Sequence, residues 1–91
     1  MNDTNKEAQP ARPATVITGA TQGVGKALAY EFARGGHTLV LVARSETALA
    51  EEASAISQTC DVEVTFIAAD LSTPEGCAHI EAALQHHGFY A

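Results

Sequence analysis

A short β-branched run, Ala14-Thr15-Val16-Ile17-Thr18, leads directly into Gly19-Ala20-Thr21-Gln22-Gly23-Val24-Gly25, and an apolar-periodic segment follows. A loop this rich in glycine, set between a strand and a helix, admits few folds. One glycine lets the chain turn sharply off the strand, one lets backbone N–H groups approach a bound pyrophosphate, and one lets the helix lie close to the sheet. The amino terminus of that helix carries free amides and a partial positive charge, which favours an anion. The effect is local, because the chain as a whole has a net charge of −6. That acidity excludes phosphate-backbone recognition, so no nucleic-acid partner is expected.

The rest of the chain continues the strand–helix alternation. Val24, Leu28 and Phe32 recur every four residues and predict the inner stripe of the first helix, with Ala27 and Ala29 small enough for close packing on a sheet. Lys26, Glu31 and Arg34 form its solvated face, and Gly35-Gly36 ends it. Thr38 to Ala43 is apolar at nearly every position, as a strand covered on both faces should be. Ser45 is placed to cap the next helix and Glu46 to sit in its first turn, while Leu49, Ala53 and Ile56 face inward. Val62 to Ala69 is a third strand whose first half alternates, which suits a sheet edge. Ser72 and Glu75 have capping-box spacing, Pro74 suits a first turn, Cys77, Ile80 and Leu84 mark an apolar stripe, and Gly88 stops the third helix.

The order β-α-β-α-β-α without a hairpin signal implies an α/β fold: a parallel sheet with right-handed crossovers and helices on its faces. The 91 residues allow one small domain. Residues 1–13 are polar, contain Pro10 and Pro13, and read as a flexible tail; residues 14–91 form the folded part. No apolar signal core or membrane-length run occurs, so the expected location is cytoplasmic with no membrane partner. Cys60 and Cys77 lack any metal-binding spacing and read as free thiols, Cys60 in a loop and Cys77 in the core. His86 and His87 are adjacent and so point to different sides of a helix; with His79 they suggest no metal site.

Two phosphate-binding motifs can be tested and set aside. A Walker loop fails because Ala20 and Ala27 stand where a glycine and a hydroxyl are needed. The G-x-G-x-x-G dinucleotide motif fails because Leu28 occupies its last position. What remains is T-G-x-x-x-G-x-G over Thr18 to Gly25, followed by Val42-Ala43-Arg44-Ser45 after the second strand and Asp70-Leu71 after the third. Each lies at the carboxyl end of a parallel strand, where open α/β sheets bind ligands. Together they resemble the short-chain dehydrogenase/reductase family, over residues 14 to about 88.

The resemblance implies a three-layer Rossmann-type sheet, of which this is the amino-terminal half, with strand order 3-2-1 and truncation before the fourth strand. It implies that Gly19, Gly23, Val24 and Gly25 face the pyrophosphate, that Thr21 and Gln22 lie near the adenosine ribose and its phosphate, and that Asp70 accepts from the adenine amino group beside Leu71. Arg44, with Ser45 as a possible hydroxyl donor, stands where the fold distinguishes the two dinucleotides. An acid there would bind the 2′-OH of NAD(H), whereas an arginine accommodates a 2′-phosphate, so NADP(H) is expected over NAD(H). Gln22, in a slot that is basic in some relatives, keeps NAD(H) open.

The family's chemistry is carried by a Tyr-x-x-x-Lys pair and a serine. Four residues before Lys6 and Lys26 stand Asn2 and Gln22, so the pair is absent and no catalytic residue is assigned. The expected function is that of the amino-terminal fragment of an NADP(H)-dependent oxidoreductase. The fragment would be inactive alone; the intact enzyme would be a homo-oligomer acting on a small carbonyl or alcohol. The alternative is a non-catalytic nucleotide-binding or interaction module. Without a fourth strand, the first strand would be an open edge that invites association.

Overall fold

Leu39, Val40, Leu41 and Val42 are fully buried, and the other elements are arranged about them. The computed structural model describes residues 12–90. The elements are β1 (Arg12–Pro13), β2 (Thr15–Thr18), α1 (Gly23–Arg34), β3 (Leu39–Ala43), α2 (Glu46–Cys60), β4 (Val64–Ala68), α3 (Pro74–His87) and β5 (Phe89–Tyr90). β3 pairs in parallel with β2, Thr15 opposite Leu39, and with β4, Leu39 opposite Val64. Alternate side chains of a strand point to opposite faces. Leu39 and Leu41 therefore meet Ile17, Ala29, Ala33, Leu49 and Ile56 in the layer of α1 and α2. Val40 and Val42 meet Ile67, Phe89, Ile80 and Leu84 in the layer of α3. Burying each such Leu or Val contributes roughly 1.5–3 kcal/mol. This is the three-layer parallel α/β arrangement that the sequence implies.

The first helix is turned from its expected orientation. Val24, Leu28 and Phe32 are 76%, 45% and 36% exposed, while Ala29 and Ala33 are buried. The cause lies at the start of α1, where a Cβ on Gly25 would run into the Gly19 carbonyl. A helix held that close to its own turn presents Gly25, Ala29 and Ala33, one small residue per turn, to the sheet. Val24, Leu28 and Phe32 are left on the outside, while Tyr30 packs partly buried against the same core. Lys26 is not simply solvated: its Nζ lies 3.7 Å from Oε1 of Glu52, a buried carboxylate on α2.

α3 shows a related shift. A Cβ on Gly76 would strike the Asp70 carbonyl, so Gly76 is the inward position of the first turn, and Ile80, Ala83 and Leu84 continue that face. Cys77, expected in the core, is exposed on the flank, its thiol 3.7 Å from the Leu71 carbonyl. Cys60 is the last residue of α2 rather than a loop residue; both cysteines are free. Gly88 ends α3 in the left-handed region at φ 75°, as expected.

The tail expected over residues 1–13 lies outside the described residues except at its end. There Arg12 and Pro13 pair in parallel with Phe89 and Tyr90. The chain thus enters a further strand, β5, about where the family resemblance would begin a fourth strand; two residues are too short to show a period of their own. Among the described residues β2 and β4 each pair only with β3, and no helix is long and apolar enough to cross a membrane.

The packing of α1 gives a contrast that can be measured. Val24→Lys with Leu28→Lys should change stability by no more than about 0.5 kcal/mol in urea denaturation. Ala33→Leu, on the small-residue face, should cost about 1–3 kcal/mol through overpacking. The reverse ranking would mean that α1 is rotated from the orientation described.

Candidate cofactor-binding site

Three turns, one after each strand of the main sheet, meet at the carboxyl end of β3. The first leaves β2 through Gly19 at φ 62°. Ala20 is fully buried, and its N–H donates to the Val42 carbonyl at 3.3 Å, extending the ladder by one rung and pinning the turn. Thr21 is half-buried and Gln22 exposed. Gly23 opens α1 at φ 60°, a conformation that disfavours any side chain. Gln22 at the N-cap makes no side-chain capping bond, and no acid lies in the first turn of α1.

The second turn carries Arg44, exposed at the end of β3, and Ser45, whose Oγ accepts from the Ala48 N–H at 3.2 Å and so caps α2. The third turn begins with the Ala69 N–H donating to the Ala43 carbonyl at 2.9 Å. Asp70 follows, with Oδ1 accepting from the Ser72 N–H at 2.9 Å and the Ser72 hydroxyl at 2.7 Å. The helix cap expected of Ser72 is supplied instead by Thr73, whose Oγ1 accepts from the Gly76 N–H at 2.9 Å. The Asx-type bond to Asp70 has captured the Ser72 hydroxyl for the turn.

The hydrogen bonds from Ser72, first the hydroxyl and then the amide, hold the Asp70 carboxyl below its ordinary value of 3.8; partial desolvation opposes this, and the charge of Arg44 adds to it weakly. The contact therefore favours the fold above the ordinary carboxylate range. It is lost as pH falls through the lowered value.

The turns enclose an open cleft of about 360 Å³. Gly19, Thr21, Gln22, Arg44, Ser45, Asp70 and Leu71 all line it. Gly23, Val24 and Gly25 do not: they form the first turn of α1 beside it, with Gly25 packed on the Gly19 carbonyl and Val24 facing outward. Ala69 and Ser72 also line the cleft, although their positions in the sequence do not mark them for it. The signal for Ser72 was its spacing of two from Asp70, which suits an Asx turn as well as Glu75 suits a capping box. Among the described residues no group of three or more metal-ligating side chains converges.

A family model for the short chain dehydrogenases matches residues 13–88. The chain belongs to that family. It is 42% identical over 73 residues to 11-beta-hydroxysteroid dehydrogenase A of Arachis hypogaea, covering 79% of this chain and 21% of the relative. It is 42% identical over 69 residues to very-long-chain 3-oxoacyl-CoA reductase-B of Danio rerio, covering 76% and 22%. The chain thus spans about a fifth of the length of these curated relatives.

Among solved structures, a short-chain dehydrogenase from Sphingobium yanoikuyae in complex with NADPH superimposes with a TM-score of 0.73 at 41% identity, over 78% of this chain and 28% of that one. L-sorbose reductase from Gluconobacter frateurii, complexed with NADPH and L-sorbose, gives a TM-score of 0.78 at 36% identity, over 85% and 29%.

Two outcomes are expected at this site. By carboxyl carbon NMR, Asp70 should titrate with a midpoint below 3.8, and Ser72→Ala should move the midpoint upward. Gly25→Ala should destabilise the fold by about 1–3 kcal/mol despite alanine's better helix propensity, because the helix must lift off the turn.

Proposed function

We propose that this chain forms the adenosine-binding portion of an NADP(H)-dependent short-chain oxidoreductase. In the intact enzyme it would serve hydride transfer between the nicotinamide and a carbonyl or alcohol carbon of a small substrate. One comparison carries the reading. Three helices begin at the same end of the sheet; α2 and α3 have a side-chain cap and an acid in the first turn, whereas α1 has neither. Its first amides and its dipole are left for an anion. An acidic protein that, among its described helices, leaves only that terminus uncapped, next to Arg44, is arranged for a phosphorylated ligand.

The residues suit the dinucleotide. Gly19 and Gly23 leave open space where a Cβ would stand, so a pyrophosphate can approach the backbone amides of Gly23, Val24 and Gly25. Thr21 and Gln22 border the ribose. Arg44 clamps the 2′-phosphate, with the Ser45 hydroxyl free to donate because its oxygen only accepts in capping α2. Asp70 takes the adenine amino group and Leu71 lies against the ring. When bound, NADPH supplies the hydride; this chain binds and orients its adenosine end. The Tyr-x-x-x-Lys pair of the family is not encoded in these 91 residues, so this portion alone is proposed to lack turnover.

The discriminating test is calorimetric titration of the chain with NADPH and with NADH. Arg44→Ala should weaken NADPH binding about tenfold, the loss of one charge-assisted contact at an exposed site, and change NADH binding less than about twofold. Equal losses for both would remove Arg44 from the 2′-phosphate.

A further inference from the structure

Asp70 is fixed on two sides. Its carboxylate Oδ1 takes both donors of Ser72, the amide at 2.9 Å and the hydroxyl at 2.7 Å. Its main-chain carbonyl takes the Thr73 hydroxyl at 3.0 Å, and Gly76 packs on that same carbonyl with no room for a Cβ. The backbone and one carboxylate oxygen are thus committed to the turn into α3. The second oxygen, Oδ2, takes no hydrogen bond among the described residues and belongs to a side chain that lines the cleft.

An ionised carboxylate only accepts hydrogen bonds. With Oδ1 saturated, Oδ2 offers a fixed lone pair to whatever group stands before it. The 6-amino group of adenine donates to such an oxygen. The 6-oxo group of hypoxanthine places a second lone pair against it, and no proton is available unless the carboxyl is neutral.

We propose that Ser72 is a specificity-determining positioning residue, which clamps Asp70 so that the cleft accepts 6-aminopurine dinucleotides and disfavours 6-oxopurine ones. This rests on the cofactor reading above. Ser72 acts through Asp70: its two donors, both on Oδ1, fix which oxygen faces the cleft and how the carboxylate is turned. Without the hydroxyl, one donor remains. The carboxylate can then swing about χ2 and turn away from an opposed acceptor, and the distinction between the two purines weakens.

The test compares NADPH with its hypoxanthine analogue, both titrated into the 91-residue chain and followed by amide chemical shifts, which also report whether each variant is folded. The native chain should prefer NADPH about tenfold, as expected when a matched donor is replaced by an opposed acceptor. Ser72→Ala and Ser72→Val should bring the two affinities within about twofold of each other, mainly by weakening NADPH. Ser72→Thr keeps the hydroxyl and should restore the preference, which a merely structural role at an exposed position would not predict. An unchanged preference in both the Ala and Val variants would overturn the role of Ser72 while leaving the cofactor reading intact. Failure of the native chain to bind either dinucleotide would overturn the cofactor reading and this proposal with it.

Discussion

The backbone contact between Gly25 and the Gly19 carbonyl governs this structure. It draws α1 down onto the turn that follows β2 and so decides which face of the helix meets the sheet. It also decides how near the helix amides stand to the cleft. A side chain at Gly25 would push the helix away and spoil both the packing of Ala29 and Ala33 and the placement of the first helix amides beside the cleft. Stability and ligand geometry thus share one cause, a van der Waals limit at a single α-carbon. The same device recurs at Gly76, pressed against the Asp70 carbonyl at the start of α3, so two of the three turns around the cleft are set by a helix glycine touching a strand-end carbonyl.

The three strands of the main sheet were legible in the sequence because their signals are local, whereas β1 and β5, two residues each, carry no period. Leu39 to Val42 could only be a doubly covered strand, and the glycine loop, Arg44 and Asp70 each followed a strand closely enough for their convergence to be foreseen. The helix faces were harder. Val24, Leu28 and Phe32 satisfy the period of an amphipathic helix, and period alone favours burying the larger residues. The structure buries the alanines because close approach outweighs side-chain size, a tertiary constraint that no count along one helix reveals. Cys77 was misplaced for the same reason, since the inward position one residue earlier is a glycine and carries no hydrophobic signal. Ser72 had two local partners, Asp70 two residues before and Glu75 three after, and only the geometry of the turn decides between them.

The electrostatics are equally local. With a net charge of −6, the protein as a whole repels a phosphorylated ligand. At ordinary ionic strength, however, a charge is felt over roughly 8–10 Å. Within that radius the cleft holds the unsaturated end of α1 and the guanidinium of Arg44. Asp70 sits across the cleft on the third turn, saturated on one oxygen by Ser72. The acid and the base thus stand on different strand ends, so the cleft carries charge of opposite sign on two of its turns.

The pairing of β1 with β5 has a mechanical meaning. The two strands are parallel neighbours, and they lie at opposite ends of the described chain. Tension applied through the residues before Arg12 and after Tyr90 would draw them in opposite directions along their common axis. Their hydrogen bonds would then carry the load together, in shear, rather than breaking in succession as in an unzipping hairpin. The first and last described strands therefore act as a clasp, and pulling on the ends loads that clasp before it reaches the buried strand β3 or the turns that shape the cleft.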